Sequence, residues 1–210
     1  MLEPAVTLTD YGLAIECWLF AALIARARPT AAFGRWWIAF FAFIGTASLL
    51  GGTVHGFFPD NASVPHIILW DANLIAIGCT AVATWNLGAL LTNSASLKRW
   101  MPVIALGVLA PYVAIVVFVS SRFLVAIAMY LPATVFLMAA MVMAHVRDSR
   151  RGWAVGILGL ALTFVAAAVQ QLKVVLHPVY FDHNAFFHAI QAVALLLLFL
   201  AQARAGRRAA

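Results

Sequence analysis

Charge is scarce in this sequence. Asp, Glu, Lys and Arg make up 10% of 210 residues, against 65% hydrophobic side chains and a mean hydropathy of +1.00. No water-soluble core requires so much apolar side chain, so a soluble globular domain is excluded and an integral membrane protein is expected. Cysteine is almost missing as well. Cys17 and Cys79 stand alone inside apolar runs with no C-x-x-C pattern, which excludes a disulfide framework and reads as core packing. The last apolar segment has no lysine, which excludes a retinal Schiff base there. The first residues lack a basic stretch and carry Glu3 and Asp10 instead, so no cleaved signal peptide is expected. There is no internal repeat and no low-complexity linker, which predicts a single membrane domain over residues 1–210. The net charge of +6 is not a nucleic-acid signal, because the basic residues sit in short groups without interleaved aromatics.

What is present in quantity is span-length apolar sequence. About 20 apolar residues cross a bilayer, and seven such segments are predicted: Thr9 to Ala27, Gly34 to Phe57, Val64 to Thr92, Trp100 to Val119, Phe123 to Val146, Gly152 to Leu176 and Asn184 to Ala203. Turn-forming stretches separate them, among them Arg28-Pro29-Thr30, Phe58-Pro59-Asp60-Asn61, Asn93-Ser94 and His177-Pro178. Pro111 and Pro132 fall inside spans and are expected to kink them. The fold class is therefore an all-α seven-helix transmembrane bundle. Eleven of the 13 basic residues flank the first, third and fifth connections and the C-terminal tail, leaving only Arg122 and Lys173 for the opposite side. By the positive-inside rule the N-terminus is outside and the C-terminus cytoplasmic, in a membrane expected to be the bacterial inner membrane.

Polar residues gather at one depth. The outer ends of the predicted helices carry Thr53 and His55, then His66, Asp71 and Asn73, then Gln170, Gln171 and His177, then His183, Asn184, His188 and Gln191. Asp71, Gln170 and His188 lie roughly 6 to 10 Å inside their helix ends at 1.5 Å per residue, with Glu16 at a similar depth. Residues three and four apart share a helix face, so Asn184, His188 and Gln191 form one stripe. His183 is five residues from His188, roughly 140° away, and occupies an N-cap position from which its ring can swing back. The inner half is featureless apart from Asn86. Ionisable groups are expensive inside a membrane, so their convergence predicts a shared site. The plainer alternative is structural: Gln170 and Gln171 bridging helices, and His66 and His145 as interfacial residues.

His55, then after fifteen intervening residues Asp71 in the next span, and a histidine motif opening the seventh helix together resemble the CREST superfamily. That superfamily joins alkaline ceramidases with the adiponectin and progestin receptors. Its members carry Ser-x-x-x-His on helix two, Asp on helix three and His-x-x-x-His on helix seven. The resemblance implies a zinc-dependent hydrolase of a lipid amide or ester. His55 and His188 match two zinc ligands and Asp71 the acid that assists the bound water. The third ligand position falls on Asn184, with His183 adjacent as a substitute. The helix-two serine position is Gly51, with Thr53 and Ser48 the nearest hydroxyls. Thr53 or Asn184 would donate to the oxyanion, while Gln191, Gln170, Asn73, Ser48 and Glu16 would meet substrate or orient the ligands. Glu16-Cys17-Trp18 also resembles the first ceramidase helix, which implies calcium, although Glu16 and Asp10 equally suit capping and solvation. The partner is a membrane lipid, as substrate or as ligand. The alternative function is a non-catalytic receptor or transporter with a polar ligand or ion site near the outer face.

Overall fold

The computed structural model describes residues 3–27, 31–149, 152–177 and 181–207. The predicted turn at Arg28-Pro29-Thr30, the basic pair Arg150 and Arg151, Pro178 and the tail residue Arg208 lie outside the described residues. Within the described residues there are seven α-helices and no strand: α1 Pro4–Arg26, α2 Ala32–Phe57, α3 Val64–Leu91, α4 Ala95–Phe118, α5 Phe123–Arg147, α6 Trp153–Gln171 and α7 His183–Arg207. Each is long and apolar enough to cross a membrane, and the molecule is an integral membrane protein of the seven-helix class.

The helix ends follow local chemistry, and three differ from the sequence expectation by five residues. Pro4 occupies the first turn of α1, where its missing N–H costs nothing, so the helix starts five residues before Thr9. Ser94 accepts a hydrogen bond from Leu97 N at 3.2 Å and starts α4 at Ala95, well before Trp100. α6 stops at Gln171, short of Leu176, because Lys173 takes a left-handed conformation at φ 52°. Lys173 N then donates to Gln170 O and Val174 N to Val169 O, a Schellman termination. Asp182, one residue before His183, caps α7 by accepting from Ala185 N at 2.9 Å. Pro111 and Pro132 do lie inside helices, in α4 and α5.

Six of the helices close a ring in the order α1, α2, α3, α5, α6, α7 and back to α1, while α4 lies outside it against α3. Close approach depends on glycine at two seams. A Cβ on Gly52 of α2 would stand 2.8 Å from Asp10 Cβ of α1, and one on Gly159 of α6 would stand 2.8 Å from the backbone oxygen of Ala194 in α7. The ring is filled unevenly. One half is a packed core of Cys17, Phe20, Trp37, Phe40, Phe41, Leu87, Leu137, Met141, Leu195 and Leu198, with Phe20 stacked on Phe199 at 4.4 Å. The other half, nearer the helix ends at Pro4, Phe57, Val64 and His183, encloses a cavity. A second core cluster around Leu74, Tyr112, Val116 and Met129 joins α4 to α3 and α5, and Tyr112 Oη donates to Leu74 O at 2.7 Å.

Candidate functional site

The cavity measures about 410 Å³ and is lined by all six ring helices, with no contribution from α4. Its walls are apolar: Leu13, Ile44, Ile77, Ile127, Phe164 and Phe187 are representative. Leu131 of α5, and Ala168 and Gln171 of α6, line it while also being exposed on the bundle surface. The cavity therefore reaches the outside between α5 and α6.

Its polar wall centres on a carboxylate and an imidazole, Asp10 of α1 and His188 of α7, both less than a tenth exposed. His188 Nε2 lies 3.3 Å from Asp10 Oδ1, and His188 Nδ1 lies 3.0 Å from Thr9 Oγ1. The Thr9 hydroxyl donates to main-chain carbonyls of its own helix, Ala5 O at 2.8 Å and Val6 O at 2.9 Å. Its oxygen is thus left to accept, which assigns a hydrogen to His188 Nδ1. One further proton then lies between Nε2 and Asp10 Oδ1, making either an acid beside a neutral imidazole or a carboxylate beside an imidazolium. In both forms the pair is neutral, the one way to place two ionisable groups at this depth without a net charge.

Around the pair, Gln191 donates to Thr163 Oγ1 at 3.4 Å, while its Oε1 is buried without a hydrogen-bond partner. Asn73 of α3 is buried, and among the described residues its carboxamide makes no hydrogen bond. Gly51 stands between: a Cβ there would lie 3.5 Å from Asp10 Oδ2 and 3.8 Å from Asn73 Nδ2. Beside His188 the wall thus offers unmatched acceptors in Gln191 Oε1 and Asp10 Oδ2 together with the Asn73 carboxamide.

Six of the residues expected from sequence line this cavity: His188, Gln191, Gln170, Gln171, Asn73 and Ser48. The others do not. Asp71 is two positions from Asn73, about 200° round α3, so it faces away from the cavity, where its Oδ1 is buried without a partner. Thr53 bonds Tyr11 Oη at 3.1 Å and Leu49 O at 2.7 Å. Asn184 accepts from Gln170 Nε2 at 3.3 Å, which is the helix-bridging alternative realised. His55 Nδ1 pairs with Glu3 Oε2 at 2.9 Å, further out along the α1–α2 seam. His183 is the first helical residue of α7 and off the cavity wall, since Asp182 has taken the cap.

Among the described residues, no three His, Cys, Asp or Glu side chains are grouped to hold a metal. As arranged, His55, His188 and His183 do not fit the three-nitrogen zinc centre that the resemblance implies. Glu16 and Asp10 do not share a calcium site either. Six residues apart on one helix they diverge by roughly 240° and 9 Å of rise, and only Asp10 lines the cavity. Starting α1 at Pro4 also moves Glu16 to about mid-helix, deeper than the polar layer.

Asp10 is the residue the sequence reading passed over as a helix-start acid. The signal was Pro4, which as a first-turn residue puts Asp10 nearly two turns inside the span. Thr9, Thr163 and Tyr130 were also missed, being ordinary span residues until the ring closes around them. No curated protein and no solved structure matches the chain. A family model does, over residues 5–207, which takes in all seven helices and both partners of the Asp10–His188 pair. The chain belongs to that family, DUF6962, described as a family of unknown function.

Proposed function

We propose that this protein binds an amphiphile drawn from the bilayer, with the apolar part in the six-helix cavity and the polar end against Asp10, His188, Gln191 and Asn73. The observation that carries the reading is a cavity with apolar walls, reaching the surface between α5 and α6, whose polar wall holds a buried carboxylate–imidazole pair. Ligand pockets of roughly 300 to 1,000 Å³ combine this kind of apolar lining with a few converging polar groups. Buried ionisable groups in a span belong to a site far more often than to packing. The charge distribution of the sequence supports an N-outside orientation, as in a bacterial inner membrane protein, which sets the cavity in the outer leaflet. The test is photolabelling in phosphatidylcholine nanodiscs with a diazirine-bearing dodecanol. Adducts should map to Ile127, Leu131 and Phe164, and Ala167→Trp should remove them; labelling confined to the outer surface would defeat the reading.

A second reading, hydrolysis of a lipid amide or ester in the manner of the ceramidases, rests on the match of His55 and His188 to that superfamily's helix-two and helix-seven histidines. Elemental analysis of zinc-supplemented protein beside His188→Ala decides it. About one zinc per chain, lost in the variant, supports the hydrolase, and none in either leaves the binding protein.

A further inference from the structure

We propose that the ligand's polar end is a protonated amine, and that it enters in exchange for the single proton held between Asp10 and His188. The inference rests on the amphiphile-binding reading above. Among the described residues, the cavity lining contains no lysine and no arginine, and Asp10 is its sole acid. Beside His188, the unpaired atoms that can only accept are Asp10 Oδ2 and Gln191 Oε1, while the Asn73 carboxamide can donate as well as accept. Among the described residues Gln191 Oε1 is buried and unpartnered, Asp10 Oδ1 is engaged but no donor reaches Oδ2, and the Asn73 carboxamide is unused. A carboxylate or phosphate head would meet these oxygens with oxygens of its own. An ammonium brings three donors and a positive charge to a wall holding the acceptors Asp10 Oδ2 and Gln191 Oε1.

Charge conservation fixes the stoichiometry. Before binding, the Asp10–His188 pair contains one shared proton and is neutral. An entering R–NH₃⁺ pairs with the Asp10 carboxylate, the shared proton leaves to water, and His188 stays neutral through Nδ1–H donation to Thr9. No covalent bond is made or broken, and the cavity is neutral before and after. That exchange avoids the cost of a net charge in the span. The groups facing Asp10 do not offer another proton source: α2 presents Gly51 and Gly52, and α3 presents Asn73. The only other titratable residue in the lining is Tyr130 of α5, and His55 is held at the seam by Glu3.

The experiment compares dodecylamine, dodecanol and dodecanoate on the full chain in phosphatidylcholine nanodiscs, with empty nanodiscs as reference. Binding is read by competition with the diazirine probe and proton release by a pH dye in weak buffer. The amine should bind about tenfold more tightly than the alcohol, the difference one charge-assisted hydrogen bond supplies. It should release about one proton per chain, while dodecanol releases none and Asp10→Asn abolishes the release. Dodecanoate binding as tightly as the amine, or amine binding without release, would overturn the proposal while leaving an amphiphile site in place. If none of the three competes with the probe, the underlying site reading has failed instead. The order of the three ligands on the unmodified chain stands as a test even if Asp10→Asn does not fold.

Discussion

Gln191 is the residue where stability and function should separate. Its Oε1 is buried and unpaired in the ligand-free protein, and such an acceptor costs about 1 to 3 kcal/mol. Gln191→Leu removes that cost and gives up a long bond to Thr163, so unfolding in detergent should show equal or greater stability, by up to about 1 kcal/mol, with loss of amphiphile binding. A destabilised variant that still binds would make Gln191 a packing residue. Gly51 and Gly52 are adjacent yet should respond oppositely. Gly51→Ser places its Cβ at ordinary contact distance from Asp10 and Asn73 and should stay within about 1 kcal/mol of the parent. Gly52→Ser meets Asp10 Cβ and the Tyr11 ring and should lose about 1 to 3 kcal/mol, measured by the same unfolding assay. At this scale the sequence showed His188, Gln191 and Asn73, because polar side chains in an apolar run stand out. It could not show Asp10 as their partner. That pairing depends on where α1 starts and on α1 and α7 being neighbours, neither of which is a property of the residues near Asp10.

At the scale of elements, the α6–α7 seam and the α5–α6 gap behave as opposites. α6 and α7 touch closely enough that a side chain at Gly159 runs into the Ala194 carbonyl. Gly159→Leu should therefore cost about 1 to 3 kcal/mol or more in unfolding experiments, since backbone cannot move aside as a flexible side chain does. α5 and α6 are joined more sparsely, and the cavity opens there. Leu131→Trp or Ala168→Trp should slow probe entry several-fold with little change in stability, because both side chains are exposed and make few packing contacts. Stopped-flow labelling distinguishes this from a change at the polar wall, which would alter the release rate instead. The seven helices themselves were legible from hydropathy. Their ends were less so, since Pro4, Ser94 and Lys173 set them by local hydrogen bonding. The ring order with α4 outside is not fixed by hydropathy: α4 is the most apolar of the seven described helices, yet all seven are apolar enough to cross.

At the scale of the whole molecule, the distribution of basic residues predicts which end faces the cytoplasm. With Cys17 and Cys79 replaced by alanine, a cysteine at Asn61 should react with a membrane-impermeant maleimide on intact cells, and one at Asn93 only after lysis. The reverse pattern would put the cavity in the inner leaflet and leave its chemistry untouched. This polarity has a sharper meaning when set beside the uneven filling of the ring. The half containing Phe20, Trp37, Phe40, Phe41 and Phe199 is solid, with Trp37, Phe40 and Phe41 fully shielded, so the cavity is a cul-de-sac. On the proposed reading, an amphiphile that enters between α5 and α6 leaves by the same opening, because the packed half offers it no way through. A ligand bound there as proposed would be felt at the opposite end only through a shift of the packed aromatics Phe20, Trp37, Phe40 and Phe41.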